Sequence, residues 1–311
     1  MRSDTAYRAA EQQYWDTFGV SPREEWHDLP RTGCRVRVQV VGDGPPVVFL
    51  HGVNTGGTVW APLAARLPQF RCLLVDRPGC GLSDPLPGRI EDVASFATLA
   101  EGFTAELLDV AGIRRAPLVA TSLGGYHALR SAAARPDRVS GVVQMGWTVG
   151  APNDRVPLVM RLGGSRRLGR LMASMPAPKA AIRPMLARIG LRQAVQAGRV
   201  SDEMVTWFHA LLARTPTMRH ELDGSPPIIT FRGLNDSILL PDAVLSRIDV
   251  PVTFIWGEGD PFGDVHVARS FAARVPGSTL VAVPDAGHAV WMDDLELVAG
   301  ATADALSASL G

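Results

Sequence analysis

Apolar positions recur along the chain in two rhythms. In "CRVRVQVVG", Val36, Val38 and Val40 alternate with Arg35, Arg37 and Gln39, a period of two that predicts a half-buried strand. "PPVVFLHG" and "FRCLLVDRPG" are continuous apolar runs stopped by turn residues, as strands buried on both faces read. Between them "TVWAPLAARL" reads as a short helix. Residues 91–111 then predict a long helix, "APLVAT" a strand, residues 123–134 a helix and "VSGVVQM" a strand, with a further helix over residues 4–18 ahead of the series. Strands that alternate with helices pair in parallel through crossover helices, which predicts an α/β sheet covered on both faces.

The rhythm breaks between residues 147 and 245, where helical pieces and turns follow one another and only "PPIITFRG" resembles a strand. Afterwards "VPVTFIWGEGD" and "STLVAVPDAGH" restore two buried strands, with helices expected at residues 265–275 and 294–306. The expected organisation is one core, residues 1–146 and 246–311, interrupted by a helical insertion over residues 147–245. That insertion carries six of the nine methionines and 13 Lys or Arg against 7 Asp or Glu. The remainder of the chain balances it, because the formal net charge is zero.

Neutrality removes the electrostatic argument for nucleic acid or an anionic membrane surface as partner. A content of 46% hydrophobic and 20% charged residues describes a globular chain rather than a disordered one. Cys34, Cys72 and Cys80 have no metal-binding spacing and leave an odd thiol, which fits a reducing compartment. The start, "MRSDTAYRAAEQQYWDTFGV", is charged where a signal peptide needs an apolar core, and no run has the length of a membrane span. A cytoplasmic location is expected, with no metal and no organic cofactor.

Candidate chemistry begins at "LVATSLGGYHAL", where Ser122 stands between a strand and a helix. One reading is a helix N-cap. The other is a nucleophile on a tight strand-to-helix turn, flanked by small residues so that both elements approach closely. A serine nucleophile needs a base and a third group to hold that base. Among the seven histidines, His27 precedes the expected sheet, His51 ends a strand, His127 follows Ser122 on its helix, and His209 and His220 lie in the insertion. Of the remaining two, His266 and His288, only His288 follows a strand directly, in "VPDAGHAVW". Asp260, just past "VTFIWGEG", is the candidate orienting acid, with Glu258 and Asp264 in competition and Asp154 more distant.

The ordered motifs "HG", "DRPGCGLSD", "SLGG", "GEGDPFG" and a late "GH" make the sequence similar to the α/β-hydrolase superfamily over most of its length. The resemblance implies an α/β-hydrolase fold, a mostly parallel central sheet covered by helices, with a helical lid inserted after the sixth strand. It also implies a catalytic set of Ser122, Asp260 and His288, and an oxyanion hole from the backbone amides of Val53 and Leu123. Ala120 departs from the pattern, standing where G-x-S-x-G has its first glycine. Haloalkane dehalogenases and epoxide hydrolases share "HG" and "DRPG" but use aspartate as nucleophile, so Ser122 argues against both activities.

Trp60, Tyr126, Trp147 and Trp291 are candidates to line the crevice, with Met172 and Met175 from the insertion, although buried aromatics and methionines also serve as core. The expected activity is hydrolysis of an ester, thioester or lactone of a small molecule with an apolar acyl portion. The same three residues also serve carbon–carbon bond hydrolysis or acyl transfer. A different class, a hydrolase-like ligand-binding receptor with little turnover, is disfavoured because a binder has no physical need of all three groups.

Overall fold

A computed structural model describes residues 4–153, 156–174, 178–224 and 228–310. Its main sheet has eight strands: β1 (Arg23–Leu29), β2 (Cys34–Val41), β3 (Pro46–Leu50), β4 (Arg71–Val75), β5 (Ala116–Ser122), β6 (Val139–Thr148), β9 (Val252–Gly257) and β10 (Thr279–Val283). A separate pair of two-residue strands, β7 (Ile229–Thr230) and β8 (Gly233–Leu234), falls between β6 and β9. The order across the sheet is β1-β2-β4-β3-β5-β6-β9-β10. β1, β2 and β4 pair antiparallel; from β4 onward every pairing is parallel.

The central strands are buried on both faces, their successive side chains diverging into two cores. Val48 and Leu50 of β3 point into one core with Phe96, Phe103 and Tyr126 from the helices Val93–Val110 and Leu123–Ala134. Val47 and Phe49 point into the other, with Tyr7 and Trp15 of the helix Thr5–Asp16 and Leu306 of the helix Leu295–Leu310. Each such side chain contributes about 1.5–3 kcal/mol on burial. All seven residues of β5 are buried, which makes this strand a rigid mount for whatever stands at its end.

Three sequence expectations change. β1 reads "REEWHDL" with only Leu29 buried, so it carries no hydrophobic signal, yet it pairs with β2 in register, His27 opposite Val36. His27 therefore lies in the sheet, on an edge strand whose face is largely wet. β6 extends through Thr148, which places Trp147 on the strand and not in the insertion. The expected strand "PPIITFRG" is reduced to the β7–β8 hairpin.

Between β6 and β9 the described residues form short helices, the longest being Asp202–Arg214, capped by Ser201, whose side chain accepts from the Met204 amide. No helix among the described residues is long and apolar enough to cross a membrane.

Candidate active site

β5 ends in a backbone conformation that serine adopts only under constraint. Ser122 has φ 53° and ψ −118°, in the left-handed half of backbone space where a side chain is strained by about 1–3 kcal/mol. It occupies the N-cap position of the helix Leu123–Ala134, but its side chain makes no capping hydrogen bond. The cap reading therefore has no support in the structure. The turn is possible because its neighbours are small: a Cβ on Gly124 would fall 2.1 Å from the Leu50 carbonyl oxygen, and one on Gly52 2.9 Å from the Ser122 Cβ. Ala120 is wholly buried in the first core, so its methyl group is accommodated.

His288 lies in the loop after β10, and its Nδ1 is 2.8 Å from Asp260 Oδ2. Asp260 is 2% exposed and accepts the Trp147 amide on Oδ2 at 2.7 Å and the Phe262 amide on Oδ1 at 2.9 Å. Those two bonds fix its orientation toward the imidazole, and the acceptor oxygen beside Nδ1 places a proton there, leaving Nε2 as the free ring nitrogen. The rival acids are engaged elsewhere. Asp264 caps the helix Val265–Ala272 by accepting the His266 and Val267 amides, and Glu258 is exposed. Asp154 lies outside the described residues.

Ser122 and His288 line one cavity of about 150 Å³ beneath the insertion. Val53 lines it too, and Leu123 opens the helix, where the first amides have no acceptor within the helix. The loop carrying Val53 is fixed from below. His51 Nδ1 donates to the Gly52 carbonyl at 2.8 Å, while His51 Nε2 accepts the Arg77 amide at 3.0 Å, so the ring is held neutral. Burial, then the nearby Arg77 charge, pushes His51 well below the usual histidine range. The Arg77 guanidinium donates to the carbonyls of His51 and Gly52 and pairs at 2.8 Å with Glu221 of the insertion, both side chains being less than a tenth exposed.

The aromatic and methionine candidates divide. Trp147 and Trp291 line the cavity. Trp60 and Tyr126 do not: both are wholly buried, Trp60 behind Trp291 at 4.4 Å between ring centroids and Tyr126 stacked on Phe96. Met172 is absent from the wall and Met175 lies outside the described residues; Met160 and Met204 are there instead. Leu186, Ile189, Leu191 and Phe208 of the insertion also line it, on its apolar side. Among the described residues lining the cavity there is no Lys, Arg, Asp or Glu.

A family model described as the alpha/beta hydrolase family matches residues 47–301. Two 2-hydroxy-6-oxononadienedioate/2-hydroxy-6-oxononatrienedioate hydrolases, from Burkholderia vietnamiensis and Paraburkholderia phymatum, are 30% and 36% identical over 270 residues, covering 83% of this chain and 85% of theirs. Among solved structures, a carboxylesterase from Bacillus subtilis is 20% identical with a TM-score of 0.73, covering 98% of this chain and 99% of that one. The structural likeness establishes the fold and leaves the scissile bond open.

Proposed function

Because this chain belongs to the alpha/beta hydrolase family, we propose that it hydrolyses a small molecule through Ser122, His288 and Asp260, and that the bond broken is a carbon–carbon bond beside a ketone. The relatives' substrate carries the choice of bond. A 2-hydroxy-6-oxo-dienedioate has no ester, thioester or lactone, so a hydrolase acting on it must cleave between carbons. This reverses the order of the sequence expectation, which put ester hydrolysis first.

In the proposed reaction Ser122 Oγ attacks the ketone carbon while His288 Nε2 takes its proton, and Asp260 stabilises the imidazolium that results. The Val53 and Leu123 amides receive the oxyanion. For this the dienol first ketonises, its hydroxyl proton moving to C5; collapse of the adduct then breaks the C5–C6 bond, the electron pair delocalises through the double bond onto the C2 ketone, and His288 returns the serine proton to the dienolate so formed. Water, activated by His288, then releases the acid from Ser122. The insertion acts as a lid that excludes bulk water and supplies the apolar wall for the acyl group.

One observation favours a second reading, hydrolysis of a neutral ester. A dioate brings two carboxylates, and the described wall offers neither a Lys nor an Arg to meet them. The substrate proposed here accordingly has an uncharged, apolar acyl end. The test follows loss of dienol absorbance for a 2-hydroxy-6-oxo-dienoate with an aryl or alkyl acyl end, for the dioate, and p-nitrophenyl ester release, in wild type and Ser122→Ala. Turnover of the first, lost in the variant, is expected; turnover of esters alone would move the assignment to an esterase.

A further inference from the structure

The insertion reaches beyond the cavity wall to the histidine itself. The His288 amide donates to the carbonyl of Gly190 at 2.9 Å. Gly190 has φ 107°, and a Cβ there would fall 2.3 Å from the His288 Cβ, so only glycine permits this approach. Three residues on, the Gln193 side chain sits against both catalytic loops. A Cβ on Gly287 would lie 2.6 Å from Gln193 Oε1, and one on Gly259 3.2 Å from Gln193 Nε2. Gly259 and Gly287 immediately precede Asp260 and His288, so one amide side chain spans the two turns that present the acid and the base. The same stretch continues to Arg199, whose Nε donates to the Met292 carbonyl at 2.9 Å. Asp293, beside it, accepts the Gly287 amide at 2.8 Å, which fixes the base loop from its other end.

We propose that Gly190 and Gln193 are positioning residues for His288, so that residues 190–199 of the insertion belong to the catalytic framework rather than to a cover that lifts away. Neither touches the reacting atoms; they act by setting the distance between imidazole, carboxylate and serine. A displacement on the order of 1 Å at such a constellation costs about 100-fold in rate.

This inference rests on the triad reading and is tested beside it. Wild type, Ser122→Ala, Gln193→Ala, Gly190→Ala and Ile189→Ala are compared for kcat, KM and thermal midpoint on one substrate. Gln193→Ala removes the wedge without adding bulk or backbone strain, and its kcat should fall about 10-fold with KM held within about twofold. Gly190→Ala should lose about 100-fold in kcat, again with KM nearly constant. Ile189, whose side chain lines the cavity, should raise KM more than it lowers kcat. Near wild-type kcat in folded Gln193→Ala, or losses that simply track the unfolded fraction, would overturn the positioning role. Persistent activity in Ser122→Ala would instead sink the triad reading on which it depends.

Discussion

The end of the sheet and the insertion above it face the same cavity, but they are built by different rules. At the sheet, Ser122 and Asp260 follow strands buried on both faces, His288 follows the partly exposed edge strand β10, and hydrogen bonds fix the acid, Asp260 lying between the Trp147 and Phe262 amides. In the insertion, short helices pack Met204, Trp207 and Leu211 into the second core and are tied further by Arg77 to Glu221, Gly81 to Thr217 Oγ1, and Gly190 to His288. Its outer parts keep large apolar side chains in solvent, Leu158, Leu171 and Phe231 being about three-fifths exposed. Under the proposed reading the difference separates two tasks, chemistry at the sheet edge and substrate choice in the insertion, with Gly190 and Gln193 as the point where they join.

The comparison breaks most sharply at the acid. Asp260→Asn keeps the shape but favours the wrong imidazole tautomer, and kcat should fall about 10³–10⁴-fold, measured by steady-state turnover with an unchanged circular-dichroism spectrum. Glu258→Gln and Asp264→Asn should lose far less. Next is the tie between the two regions. Glu221→Ala leaves the Arg77 guanidinium buried and unpaired, which should cost about 3–5 kcal/mol in denaturant unfolding. A loss under about 1 kcal/mol would mean that water reaches the pair.

Smaller effects sharpen the division. Met160→Ala should change acyl-length preference several-fold, because Met160 lines the cavity, while Met172→Ala leaves preference unchanged. Equal shifts from both would redraw the wall. The mildest concerns pH. Burial and the Arg77 charge lower His51 and bring His127 to about 3, so both stay neutral when folded. The unfolded chain binds protons on them below about pH 6.5, so their stabilisation is complete above that pH and lost as pH falls, by roughly 1.4 kcal/mol per pH unit for each histidine. His127→Phe, placed among Phe96 and Phe103, should lessen the slope of midpoint against pH; an unaltered slope would remove His127 from this account.

What the sequence made legible follows the same line. Buried parallel strands are continuous apolar runs, so β3, β4, β5, β6 and β9 are legible, and β10 too by its apolar run although only its Val283 is buried; with them come the carboxyl ends where Ser122, Asp260 and His288 stand. β1 was invisible because an edge strand needs only Leu29 buried. The cavity wall was half legible. Trp147 and Trp291 adjoin strand or loop ends that the pattern had located, whereas Trp60 and Tyr126 differ from them only in which way the side chain turns. Gly190 left no signal at all: its role depends on His288, 98 residues later in the chain, approaching its bare α-carbon.

The central claim, that hydrolysis runs through Ser122 activated by His288, is tested most directly by mass spectrometry after incubation with a fluorophosphonate. The expected result is a single adduct on the peptide containing Ser122, absent in Ser122→Ala and formed at least about 100-fold more slowly in His288→Ala. An adduct on another residue, or equal labelling in His288→Ala, would contradict it.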